Sequence, residues 1–162
     1  MKMFSLINIT KEELNKLNED NLMFITNPGR MGDEDGSTFI MREGNCLKAY
    51  RVSNWMYNTE KCEVTLEDMQ KVFPHWIEAW NNFANENYDG KFKHIYMGFG
   101  NGLSVNKDIY NIFEKYLEEE ISKKIKEEGK STNDYILRYN LWQLAAVKTA
   151  NELGLEIQAI EK

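Results

Sequence analysis

Two histidines, two cysteines and two prolines are all that this 162-residue chain contains of those residue types. Each scarcity removes a class of chemistry. Cys46 and Cys62 are too few for a disulfide framework and lack the repeated C-x-x-C spacing of a zinc site, so they read as reduced thiols. His75 and Glu78 stand three apart and share a helical face, yet two donors make no metal site. His94 shares a strand face with Phe92 and Tyr96 and reads as a hydrogen-bonded sheet histidine. No G-x-S-x-G elbow occurs, and neither cysteine sits in a nucleophile context. No cofactor and no metal are expected, and a non-enzymatic role is favoured over a catalytic one.

Basic charge is also short. Twenty Lys and Arg stand against 26 Asp and Glu, giving a net charge of -6 and a pI near 5.1. A nucleic-acid binder normally carries a basic stripe that releases counterions, so ordinary DNA or RNA binding is disfavoured. Long apolar runs are missing as well. The start, "MKMFSLINIT", has one Lys and an apolar stretch of about five residues, too short for a signal segment or a membrane span. A cytoplasmic protein without membrane contact is the expectation.

What remains is ample core material, 42% hydrophobic and 12% aromatic, in a length that suits one α+β domain over residues 1–162. Thr10 with Glu13 has the spacing of a capping box and opens a short helix, Lys11 to Leu17. "NLMFIT", residues 21–26, is a strand stopped by Asn27-Pro28-Gly29. "TFIMR" (38–42) and "CLKAYRVS" (46–53) flank Glu43-Gly44-Asn45 as a hairpin; both faces of the second run are mixed, which leaves its buried side open. Thr65 with Asp68 starts a second helical stretch with an apolar stripe through Leu66, Met69, Phe73, Trp76, Ile77, Trp80 and Phe83. Pro74 interrupts it, and an interior proline costs about 3 kcal/mol, so a kink or a break with Pro74 in the first turn of a second helix is predicted.

"FKHIYMGF" (92–99) alternates as a strand, and Asn101-Gly102 before Leu103 to Val105 suits a two-residue type I′ turn, with Gly98 and Gly100 marking a bulge or a close backbone approach. A dinucleotide fingerprint is the rival reading of the three glycines. It requires the last glycine one residue later and a helix directly after, so the hairpin is preferred. A stripe from Ile109 to Ile125 gives a long helix closed by Gly129; another from Tyr135 to Leu153 is closed by Gly154; "LEIQAI" (155–160) ends the chain as a strand. "GKST" (129–132) resembles the end of a P-loop, but Lys124 stands where its first glycine must be, so it is a helix stop and start. The pattern predicts a mostly antiparallel sheet of about five to six strands, with about four helices packed mainly on one face.

Two polar stretches are the functional candidates. "NPGRMGDEDGS" (27–37) joins two strands through Arg30, Asp33, Glu34 and Asp35; its acids resemble a calcium loop in part but lack the terminal glutamate. "SNWMYN" (53–58) offers Trp55 and Tyr57, aromatic anchors at a strand end. Three functions stay open. The first is a small binding or inhibitory protein, of a toxin-neutralising or defence-antagonist kind, presenting an acidic surface and the 27–37 segment to a basic protein partner. The second is a small-molecule or nucleotide-binding protein or enzyme with a pocket near that segment, and the third a structural subunit of a larger assembly.

Overall fold

The computed structural model describes residue 4 and residues 6–26, 37–52, 63–82, 89–98, 101–129 and 135–158. Their order is β1 (Leu6–Asn8), α1 (Lys11–Asn15), a 3-10 turn (Glu19–Asn21), β2 (Leu22–Thr26), β3 (Ser37–Glu43), β4 (Cys46–Val52), α2 (Leu66–Val72), α3 (Pro74–Asn81), β5 (Phe92–Gly98), β6 (Asn101–Asn106), α4 (Tyr110–Glu128), α5 (Tyr135–Glu152) and β7 (Glu156–Ile157). The strands form one sheet in the order β1-β4-β3-β2-β6-β5, with β7 also on β4. Every pairing among β2 to β6 is antiparallel, while β1 and β7 run parallel to β4. This is the α+β, largely antiparallel architecture that the sequence predicts. β1, three residues long and paired 43 positions away in sequence, is the strand that local pattern does not announce.

The helices divide between the two faces. α4 and α5 cover one, where Phe113, Leu117, Trp142, Ala146 and Ala150 meet Phe24, Ile40, Leu47, Ala49, Leu103 and Val105. Packing mainly on one face thus holds for the long pair, but α1, α2 and α3 line the opposite face, burying Leu14, Met69, Phe73, Trp76 and Ala79 against Leu22, Ile25, Phe39, Met41, Tyr50 and Phe92. Because both faces are covered, the central strands are apolar at successive positions rather than alternating, and all of β2 is buried. A bulge in β2 between Leu22 and Phe24 shifts its register against β3, which lets Leu22 and Ile25 serve the α1–α3 side while Met23 and Phe24 serve the other.

The local signals act as read. Thr10 and Thr65 both close full capping boxes, with Glu13 and Asp68, each satisfying two orphan N–H groups at a helix start. The Asp68 carboxyl is held below its ordinary value by the hydrogen bond from the Thr65 backbone. Gly44, with φ of 60°, turns β3 into β4, and Gly129, also at 60°, caps α4.

Pro74 breaks the second helical stretch into α2 and α3 and occupies the first turn of α3, where its missing N–H is harmless. The residue ahead of it, Phe73, offers no side-chain cap. Glu19 supplies one from the 3-10 turn, 56 residues before His75. Its buried carboxylate accepts the backbone N–H of His75 at 2.8 Å and of Trp76 at 3.1 Å, and contacts His75 Nδ1 at 2.5 Å. Asp20 next to it pairs with Lys91 ahead of β5, which holds the Asp20 carboxyl below its ordinary value. One short turn therefore fastens both the start of α3 and the approach to β5. Glu19→Ala orphans two helix N–H groups and leaves a void, and is expected to lower unfolding stability by about 2 to 4 kcal/mol, against less than about 1 kcal/mol for the exposed Glu12→Ala, both read from urea unfolding.

Candidate functional site

The registers of successive strand pairs line up one row of residues across the face beneath α1–α3. Ile7 lies beside Tyr50, Tyr50 beside Phe39, Phe39 beside Ile25, Ile25 beside Ser104, and Ser104 beside His94. The first four are core. Phe39 stacks on Tyr50 with ring centroids 5.2 Å apart, and tilts against Phe73 at the end of α2. Burial, followed by the adjacent Glu43 charge, pushes the Tyr50 hydroxyl well above its ordinary range, so it stays protonated and donates to Glu43 at 3.1 Å.

The far end of the row is polar. His94 lies edge-on to Trp80 of α3, with ring centroids 4.0 Å apart at 89°, and its Nδ1 is 3.4 Å from the Ser104 hydroxyl. Burial drives the His94 pKa down from 6.5 to about 4, so the ring is neutral near pH 7. Gly102, also on β6, lies directly beneath: a Cβ there would overlap His94 Cε1 and Trp80 Cζ3.

That contact corrects the expected turn. Asn101 pairs with Gly98 and Gly102 with Tyr96, so Asn101-Gly102 is strand, the chain reverses between Gly98 and Asn101, and Gly102 has no positive φ. The hairpin itself stands, as does a bulge, which falls between Tyr96 and Gly98. Gly102 is required for room rather than for turning. Neutral His94 beside a buried Ser104 has the elements of a proton-transfer pair, but a base with a pKa near 4 is a weak proton acceptor at neutral pH, and the Ser104 residue is 1% exposed. The cluster is a packed polar joint between α3 and the sheet.

Arg30, Asp33, Glu34, Asp35, Trp55 and Tyr57 lie outside the described residues. The strand positions that bound their two segments are described and adjoin: Ser37 pairs with Val52, and the Thr26 hydroxyl accepts from Thr38 N at 2.8 Å while lying 3.2 Å from its carbonyl. Both segments therefore start from one end of the sheet, the end at which β5 turns into β6. The remaining sequence candidates take ordinary places. His75 is half-exposed on Glu19, Cys46 is a free thiol, and Gly129 of "GKST" is a helix cap. Among the described residues no group of three or more metal-donating side chains converges, and no helix is long and apolar enough to cross a membrane.

Charge is distributed unevenly over this frame. Residues 6–26 and 63–82, which build the α1–α3 layer, carry eight acidic side chains and three lysines. The other described residues carry eleven acidic and twelve basic side chains and are close to neutral. The α4–α5 side mixes its signs, as in the trough of about 610 Å³ along α4 lined by Lys115, Glu118, Glu119 and Lys123. Between α4 and α5, Lys148 meets the buried Glu120 at 2.5 Å and Tyr116 donates to Glu152.

No family model matches the chain, and neither the curated proteins nor the solved structures yield a match.

The sequence did not single out Glu19, nor the packing of Trp80 on His94 above Gly102. For Glu19 a signal exists: Pro74 begins a helix without Ser, Thr, Asp or Asn before it, so a cap must come from elsewhere. Gly102→Ala is expected to cost roughly 2 to 3 kcal/mol through overpacking. Combined with His94→Ala, the added cost of Gly102→Ala should fall to less than half, because the ring that the methyl meets is gone; a double-mutant cycle in urea measures the difference.

Proposed function

We propose that this protein is a small cytoplasmic binding or inhibitory protein that presents the acidic α1–α3 layer to a basic protein partner. The observation that supports this reading most directly is the segregation of charge: the layer holds nearly all of the chain's excess of acid, while the rest of the described surface is balanced. A predominantly acidic patch raises the encounter rate with an oppositely charged partner and disfavours partners of like charge.

Two capping boxes and the Glu19 clamp fix the starts of α1, α2 and α3, and Met69, Phe73, Trp76 and Ala79 anchor the layer with no exposed side-chain surface. Glu13, Asp68 and Glu19 are engaged inside the fold, whereas Glu12 and Glu67 are exposed and paired only with the lysine one turn on. Such exposed pairs contribute little to stability, which leaves their carboxylates open to exchange for a partner's cations. Arg30, Asp33, Glu34, Asp35, Trp55 and Tyr57 would extend the contact from the end of the sheet, with the aromatic pair as anchors.

The test is affinity capture from the native host with the wild-type chain and with a Glu12→Lys/Glu67→Lys/Glu78→Lys variant. None of the three replaced residues caps a helix or is buried. Capture of a basic protein, released as salt is raised and bound about tenfold or more weakly by the variant, is the expected result. A chain that stays monomeric and captures nothing, or a partner indifferent to the three reversals, would overturn the reading.

A further inference from the structure

His94 and Trp80 form the contact by which the C-terminal half of α3 rests on the β5–β6 hairpin, and the joint has no slack. Gly102 gives up its side chain so that the ring can approach the backbone of β6, Trp80 packs at right angles to the ring with centroids 4.0 Å apart, and Ser104 beside it is 1% exposed. A neutral imidazole fills such a space. An imidazolium needs more hydration than this partly buried position leaves it while α3 is seated.

We infer that His94 is an acid-sensitive latch: protonation of its ring lifts α3 from the β5–β6 end of the sheet while α4 and α5 stay seated on the other face. The two faces have separate hydrophobic cores, so one helix layer can loosen while the other holds. The opening would uncover the apolar underside of α3, where Trp76 and Ala79 lie wholly buried.

The sign follows from burial. With α3 seated the His94 pKa is about 4; with the ring hydrated it returns toward 6.5. The open form therefore binds the proton first as pH falls below 6.5, and the opening constant rises until about pH 4, then levels off. With a ring that keeps partial contact with solvent, the total rise is about one to two orders of magnitude. The side chains of Trp80 and Ser104 that meet the ring carry no titrating charge. Other titratable groups along α3 are His75 and Glu78 on the helix itself, Glu19 and Asp20 from the 3-10 turn, and Lys91 ahead of β5.

Native-state hydrogen exchange on the full chain tests the latch. The intrinsic-rate-corrected protection of Ala79 and Trp80 amides is compared with that of Ala145 and Val147 in α5 as pH is lowered from 6.5 toward about 4.5. The α3 protection is expected to fall about tenfold or more relative to α5 in the wild-type chain, and to lose most of that response in His94→Gln. Glu19 and His75 remain in the variant, so any response they contribute stays visible there. A wild-type ratio independent of pH, or a full response surviving in His94→Gln, would overturn the inference. Should the variant fail to fold, the ring proton of His94 decides by NMR in the wild-type chain: a midpoint well below 6.5 that moves with the α3 amides supports the latch, and a midpoint near 6.5 rejects it.

Discussion

Burial of both faces of one sheet is the constraint to which the other features answer. β2 has no wet side, β3 alternates Phe39 and Met41 toward α1–α3 with Ile40 toward α4 and α5, and β4 divides Tyr50 from Leu47 and Ala49 in the same way. A sheet so enclosed cannot spend strand positions on solubility. Polar groups are pushed to the helix exteriors, to strand ends and to the few places where a partner is at hand, such as Thr26 on Thr38 and Arg51 on Asn8. The charge of the protein thus becomes a property of its helix layers, and the two layers differ in it.

That same enclosure explains which parts of the fold were legible. Signals that act within a few residues were plain: Thr10 with Glu13, Thr65 with Asp68, the break at Pro74, the turn at Gly44 and the stop at Gly129 depend on backbone chemistry that the neighbouring sequence supplies in full. β4 was ambiguous because its two faces really are both buried, with Lys48 drawn to Glu43 and Arg51 to Asn8 at the ends of the rungs. β1 was invisible because three residues gain strand character only from a parallel partner elsewhere in the chain. Asn101-Gly102 misled for the opposite reason. Its local turn preference is strong, but the demand for space beneath His94 and Trp80 decided the conformation, and the reversal moved to the residues before it.

The candidate site divides along the same line. Arg30, Asp33, Glu34, Asp35, Trp55 and Tyr57 stand out in the sequence because they belong to stretches of unusual polar and aromatic content at strand ends, where contacts are often made. The frame adds what sequence could not: the segments bearing them are rooted on paired strands at one end of the sheet, and the acidic side chains of α1 to α3 belong to a single layer rather than being scattered. Neither fact is visible without the register, because residues 6–26 and 63–82 become neighbours only once β1 lies beside β4 and Glu19 holds the first turn of α3.

Glu19 and His94 make a final contrast between two ways of placing a titratable group in an interior. Glu19 is buried with two backbone N–H donors and the His75 ring arranged around it, so its carboxylate is answered where it sits and the helix it caps gains from it. His94 is partly buried beside an indole ring, a glycine and a hydroxyl, and burial favours its neutral form. One end of α3 is therefore held by a charge and the other by the absence of one. Under the latch inferred for His94, the short helix between these two residues is the element whose seating responds to acid, and it responds at its C-terminal end.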